Sequence, residues 1–542
     1  MSEDQPTPLM DALQTVFAAV ALVGLGFALL HSGGRDPGSA EIAMVMAAPS
    51  LLAGQAWRTI PAAEIVAAAL VVIAAVSVPL ITPLGVSGVA DLNAYVYASI
   101  LYLAIRGYAQ SPERRNFIAV AILGIAIVES PDVWRVWVGE HNKHFQVVGT
   151  FYWHNQFGAF AAAIALFAGC MAMRSRRVED VIAWLVAPLF AALTFMSQSR
   201  GALLSLAVAS SALVAISIVR RHWRPLFRLL AVAALAVVVH AGFVSAVTTA
   251  TGGGHSNSST ADFSPGRSSL QGTSAFRVSA AEEAARVFAK APLLSHGYGS
   301  LSVLGWRDVP DGAVTSPYAH SAELQAAVDG GLLLGLPVAL ALALMGWASL
   351  RGVLAFGTER DQATDWVRFG AAFAAVALLM HASMDFDSQY PALTALLAVL
   401  IALATPTFRV RSRTRAQLAI RGLASAVVML AATVSSLMVH SYWQTTHRLE
   451  TANSSLSTDS AASVAIAREA LNHHEFEDPR PAIFIVQATD IGYVFDDVTL
   501  REALRESRSY ARLSSSFAQS WVRVDSAMLA SSVPAPSTAT HS

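Results

Sequence analysis

The chain has 542 residues, 54% of them hydrophobic and 13% charged, with a mean hydropathy of +0.50 and a formal net charge of −1. Soluble globular domains carry about 25% charged residues, so an ordinary soluble enzyme, a disordered chain and a disulfide-rich secreted domain are excluded. The single cysteine, Cys170, lies in an apolar run and offers neither a disulfide nor a cysteine metal cage, and no excess of positive charge is available to neutralise the phosphates of a nucleic acid.

A helix needs about 20 apolar residues to cross about 30 Å of hydrocarbon. By that measure thirteen candidate spans lie near 11–30, 40–56, 62–82, 90–105, 117–130, 153–173, 181–198, 202–219, 229–247, 331–350, 369–384, 391–408 and 422–440, the second and fifth being the weakest. The start, Met1-Ser2-Glu3-Asp4, is acidic and lacks a small-residue cleavage site, so the first span reads as a helix rather than a signal peptide. Nineteen arginines, from Arg58 to Arg421, fall in alternate loops, whereas the opposite short loops hold Arg35, Arg135, Lys143 and Arg200. Positive charge stays in the cytoplasm, which puts the N-terminus inside and the C-terminal tail outside.

The fold class that follows is all-α, a polytopic membrane bundle. Residues 1–248 form an N-terminal membrane bundle of about nine spans. Residues 249–330 form a large external loop that opens Gly/Ser/Thr-rich and turns helical over 275–288. Residues 331–440 carry the remaining spans, and 441–542 form an external tail with 12 acidic and 8 basic residues. Helical periodicity runs over 459–474 and 498–530 of the tail, in the manner of two helical hairpins, before a Ser/Pro/Thr-rich end.

Ionisable groups close to lipid mark function. Ser199-Arg200-Gly201 sits in a turn between two apolar runs at the external face, where Arg200 is either an interfacial arginine reaching for headgroups or an anion clamp at the mouth of a cavity. Arg267 and Arg277 lie near the start of the amphipathic stretch Ala275–Phe288, which is followed by the turn Ser295-His296-Gly297-Tyr298-Gly299. His320, in Tyr318-Ala319-His320-Ser321-Ala322-Glu323-Leu324, heads the helix entering the tenth span, where a helix N-terminus favours neutral imidazole; a capping role is the alternative. His381 and Asp385 are four residues apart, so on one helix they would face the same way. No metal-ligand signature stands out beyond the weak Asp385-Phe386-Asp387 match, and a P-loop, a GxGxxG and a GxSxG are absent.

Taken in order, these elements resemble those of the bacterial O-antigen ligases and polymerases. The resemblance rests on Gly149-Thr150-Phe151-Tyr152-Trp153-His154-Asn155, then Ser199-Arg200-Gly201, then Arg277 with Gly297-Tyr298-Gly299, then His320 to Leu324 with Gly331 and Gly335, and last the stretch from His381 to Pro391. It covers roughly residues 145–405. It implies a GT-C-like helical bundle and transfer of an oligosaccharide from an undecaprenyl-diphosphate carrier to an acceptor glycan or lipid A–core, outside the bacterial inner membrane and without a metal or other cofactor. In that reading Arg200 and Arg277 bind the diphosphate, with Arg267 as a weaker substitute, His320 accepts the hydroxyl proton, and Asn155, His381 and Asp385 support them. The expected partners are the lipid-linked glycan, its acceptor, the bilayer and other polysaccharide-assembly proteins.

Polymerase, ligase and protein O-oligosaccharyltransferase remain open as acceptor choices, with the long tail and the His381–Pro391 stretch tilting toward polymerisation. A transporter would carry an inverted repeat and midplane charges, whereas no repeat is visible and the ionisable groups gather at the external face. A scaffold acting through its tail is the third class. It would tolerate loss of Arg200 and Arg277.

Overall fold

The computed structural model describes residues 8–52, 60–139, 146–173, 178–250, 270–304, 316–355, 365–406, 415–456, 458–472 and 478–532. Among them the chain is helical and carries no strand. The acidic start, the Gly/Ser-rich opening of the large loop, Arg267 and the Ser/Pro/Thr-rich end lie outside the described residues. In chain order the helices are α1 (Pro8–Leu30), α2 (Pro37–Ala47), α3 (Ala62–Ile81), α4 (Leu92–Tyr108), α5 (Pro112–Gly139), α6 (His154–Ala172), α7 (Val178–Met196), α8 (Arg200–Val219) and α9 (Trp223–Ala250). They continue with α10 (Leu270–Lys290), α11 (Ala322–Ala355), α12 (Trp366–Ala382), α13 (Pro391–Ala404), α14 (Arg415–Ser455), α15 (Ser460–Asn472), α16 (Arg480–Asp490), α17 (Asp497–Leu513) and α18 (Ser515–Ser532).

Among the described residues eight helices are long and apolar enough to cross a membrane, and three shorter apolar helices, Asp180–Met196, Trp366–Ala382 and Pro391–Ala404, lie among them. The chain is therefore a polytopic helical membrane protein. The stretch read as a second span, 40–56, begins within the eleven-residue α2, about 16 Å long at 1.5 Å per residue. Pro49 then opens the separate single turn Pro49–Leu52, because proline cannot donate to the preceding turn.

Helices α4, α6, α12 and α13 form the protein-enclosed centre, and α6 packs on both α7 and α12 while α13 packs on α4. Composition explains the sorting. The α6 sequence is rich in alanine and glycine, which lets neighbouring backbones approach closely within a membrane, and 94% of its apolar window is buried. Helix α9, at 11%, turns Leu230, Leu235, Val237 and Val238 outward, as lipid contact requires. The buried Arg106 of α4 donates to Glu64 of α3 at 3.1 Å and to the Pro406 carbonyl at 2.7 Å, and Tyr102 also donates to Glu64 at 2.8 Å. A charge in such a place persists only when paired and hydrogen-bonded.

Helix α11 begins at Ala322 rather than near 331 and runs through a break at Gly331, where φ is 61° and ψ −153°. The break admits the chain at Pro292 and Leu293, whose carbonyls accept from the Leu332 and Leu333 amides at 2.7 and 3.2 Å. In this way the end of α10 is fastened to the first membrane helix after the large loop. Helix α14, 41 residues and about 61 Å long, leads directly into the tail helices. There Leu471, Ile485, Val486, Ala503 and Phe517 make a separate core. Arg480 docks the tail on α14 by donating to the Tyr442 carbonyl at 3.1 Å with its guanidinium 3.8 Å above the Tyr442 ring.

The backbone region occupied by Gly331 is essentially closed to other residues, and a Cβ there would stand 2.6 Å from the Leu293 carbonyl carbon. Gly331→Ala is expected to destabilise the protein by about 2 kcal/mol or more. A thermal melt in detergent showing an unchanged Tm would contradict this account of the break.

Candidate active site

The sequence around 199–201 fits the start of a helix residue by residue. Ser199 caps α8, its hydroxyl accepting from the Ala202 amide at 3.2 Å, as a serine N-cap does. Arg200 is the first helical residue and is exposed. Gly201 lies against His381, where a Cβ would meet the imidazole at 3.1 Å. In α10, Ala284 and Val287 are buried against Leu301, Ala319 and Val328, and Ala280, one turn earlier, is buried too. Arg277, one turn before Ala280, extends the same helical face inward.

Asp385 is where these elements meet. Its carboxylate, 1% exposed, accepts from Arg277 Nη2 at 3.1 Å, from Asn155 Nδ2 at 2.8 Å and from the Phe386 amide at 2.9 Å, and His320 Nδ1 lies 3.4 Å away. Burial pushes this carboxyl up, but the nearby His320 imidazole, the charge of His381, the Phe386 amide and Arg277 together hold it below the usual value of 3.8.

His381 and Asp385 do not share a helix face. Helix α12 ends at Ala382, and the chain then turns into the 3-10 segment Asp387–Gln389. His381 Nδ1 donates instead to Asp387 at 2.7 Å, while Gln156 Nε2 donates to the other oxygen of Asp387 at 3.3 Å. The consecutive amides Asn155 and Gln156, at the start of α6, thus hold the two aspartates of the Asp385-Phe386-Asp387 run. His381 Nε2 is buried with no hydrogen-bond partner among the described residues.

In front of this network lies a cavity of about 510 Å³. Arg200, Arg277, His320 and Asn155 all line it. His320 stands between two rings, Phe276 at 5.4 Å and Phe386 at 5.3 Å, both edge-on, and its Nε2 is 3.1 Å from the Ser316 hydroxyl. His320 and Gln198, which also lines the cavity, have φ of 52° and 55°. Residues other than glycine held in this region tend to gather at functional sites.

Of the candidates read from the sequence, Arg200, Arg277, His320 and Asn155 converge on the cavity, Asp385 and His381 stand behind it, and Arg267 lies outside the described residues. Sequence reasoning missed Gln156 and the role of Asp387. It also missed Arg35 and the aromatic walls Tyr152, Trp153, Tyr318 and Tyr390. The adjacent amides opening an apolar helix were a usable signal, as was Arg35 standing alone after two glycines in a loop between apolar runs. Among the described residues no group of three or more His, Cys, Asp or Glu is placed to hold a metal ion.

A helical membrane bundle with a basic, aromatic-walled cavity where a loop helix meets the membrane helices is the class these features define. Residues 185–339 match the sequence model of the O-antigen ligase family, a stretch holding Arg200, Arg277 and His320. No curated protein matches the chain.

Asp385 has a folded-state pKa below its unfolded value, so its contribution to stability is fully present above about pH 4 and is lost as pH falls through the folded pKa. Asp385→Asn is expected to lower the Tm at pH 6–7 and to flatten the acid limb of a Tm-versus-pH curve. An equal loss of Tm at every pH down to 3 would show that the charge of Asp385 is not what stabilises the site.

Proposed function

We propose that this protein is a metal-independent glycosyltransferase that moves an oligosaccharide from undecaprenyl diphosphate to a hydroxyl acceptor at the periplasmic face of the bacterial inner membrane, with its N-terminus cytoplasmic and its tail periplasmic. The observation that carries this reading is the convergence of Arg200, Arg277 and His320 on one cavity, with Asp385 behind them. The match to the O-antigen ligase family supports the same class of chemistry.

In this reaction the acceptor oxygen bonds to the anomeric carbon as the bond from that carbon to the diphosphate oxygen breaks. The electron pair leaves with the diphosphate, and the hydroxyl proton goes to a base. Arg200 and Arg277 offer planar guanidinium donors for the phosphate oxygens, and Arg200 does so at the start of α8, where a helix N-terminus also favours an anion. Asp385 beside Nδ1 keeps the proton of His320 on that nitrogen and leaves Nε2 as the base, the division of labour of a histidine–aspartate pair in acyl transfer. The Ser316 hydroxyl at Nε2 marks the position an acceptor hydroxyl would take. Asn155, Gln156 and His381 fix the two aspartates and through them the arginine and the base.

Arg200→Ala, Arg277→Ala and His320→Ala are each expected to lower transfer about a hundredfold, about 3 kcal/mol of barrier, with folding retained. Purified protein would be incubated with the lipid-linked oligosaccharide and its products run on a gel. A ladder of lengthening chains without added acceptor, missing from Arg277→Ala, identifies a polymerase, the acceptor choice the long tail favours. Transfer only to added lipid A–core identifies a ligase. No product with either, from demonstrably folded protein, overturns the proposal.

A further inference from the structure

Arg35 reaches the same cavity from the opposite end of the chain. It follows a turn in which Ser32, Gly33 and Gly34 all have left-handed φ, at 55°, 65° and 77°. Such a turn needs tertiary support. It finds it where Gly33 lies against the rings of Phe151 and Tyr390, and where Asp36 caps α2 by accepting from the Ser39 amide at 2.8 Å. The half-buried Arg35 is thereby held in an aromatic collar. Its Nη2 donates to the Tyr318 hydroxyl at 3.3 Å, and its guanidinium lies 4.4 Å from the centre of the Tyr152 ring.

These partners orient the guanidinium without neutralising it. Among the described residues Arg35 forms no ion pair; the half-buried Asp91 feels its charge only at longer range. Arg200, too, has no ion pair among the described residues, whereas Arg277 is bonded to Asp385. Two guanidiniums without an ion pair among the described residues thus face the cavity, and a diphosphate bearing a sugar at one end and a lipid at the other carries two negative charges. Without Arg35 the balance would be one short.

We propose that Arg35 is a third anion-binding residue of this site, holding the diphosphate together with Arg200 while Arg277 is steered by Asp385. The inference rests on reading the cavity as the diphosphate site. A guanidinium can stack on Tyr152 and bond Tyr318 and a phosphate oxygen at once, which an ammonium cannot.

The test is binding of undecaprenyl diphosphate in detergent micelles to the full-length protein, measured by isothermal titration calorimetry, with undecaprenol as the uncharged control. Arg35→Ala is expected to weaken diphosphate binding at least tenfold and to raise KM for the lipid donor more than it lowers kcat. Arg35→Lys retains a positive charge, should keep the fold, and should still bind at least fivefold more weakly. Undecaprenol binding should be unchanged in both. Wild-type affinity in both Arg35 variants, with affinity lost in Arg200→Ala, overturns the role of Arg35 alone. Wild-type affinity in Arg200→Ala as well overturns the diphosphate reading of the cavity and this inference with it. A loss of undecaprenol binding equal to the loss of diphosphate binding makes Arg35 a structural residue and also overturns the proposal.

Discussion

A carboxylate almost wholly removed from water persists only if its charge is met on all sides, and Asp385 imposes that demand on four parts of the chain. Arg277 comes from the helix of the large loop, Asn155 from the head of α6, His320 from the turn before α11, and the Phe386 amide from the chain immediately after. Because each partner belongs to a different element, satisfying one buried charge fixes the loop on the membrane bundle. The cavity exists where that fastening leaves room, and its basic lining is the outer side of the same network.

A second aspartate anchors the layer beneath. Asp387 takes His381 and Gln156 as Asp385 takes Arg277 and Asn155, so a run of three residues between α12 and α13 sets two polar layers one above the other. Gly201 then allows the start of α8 to close over His381. Arg200 lines the cavity with no ion pair among the described residues. Arg277, by contrast, is held by Asp385.

The membrane core follows from a simpler rule. Helix α6, rich in alanine and glycine, packs at the centre because small side chains let backbones approach, while α9 turns Leu230, Leu235, Val237 and Val238 to the lipid boundary. The enclosed helices can then be short and can carry polar residues such as Asn93, Gln156 and Arg106, because their surroundings are protein. The tail keeps its own small core and is tied to α14 through Arg480.

Much of this was legible in the chain itself. Apolar length, low charge and arginine placement are local or additive properties, so the all-helical membrane class and most helix positions could be read directly. Arg200 and His320 stood out as polar residues bordering apolar runs, whereas Arg277, in the helix of the large loop, was singled out through the family resemblance. What the sequence could not supply was pairing across distance. The spacing of His381 and Asp385 suggested one helix face, but where α12 ends decides that His381 bonds Asp387 and leaves Asp385 to Arg277, 108 residues away in the chain. Arg35 carried no motif at all; three left-handed residues and an aromatic collar assembled from distant segments bring it to the cavity. Composition and periodicity determined what kind of protein this is, since each residue contributes to them independently. The site was decided only in the folded chain, because a buried charge selects its partners by geometry and not by sequence distance.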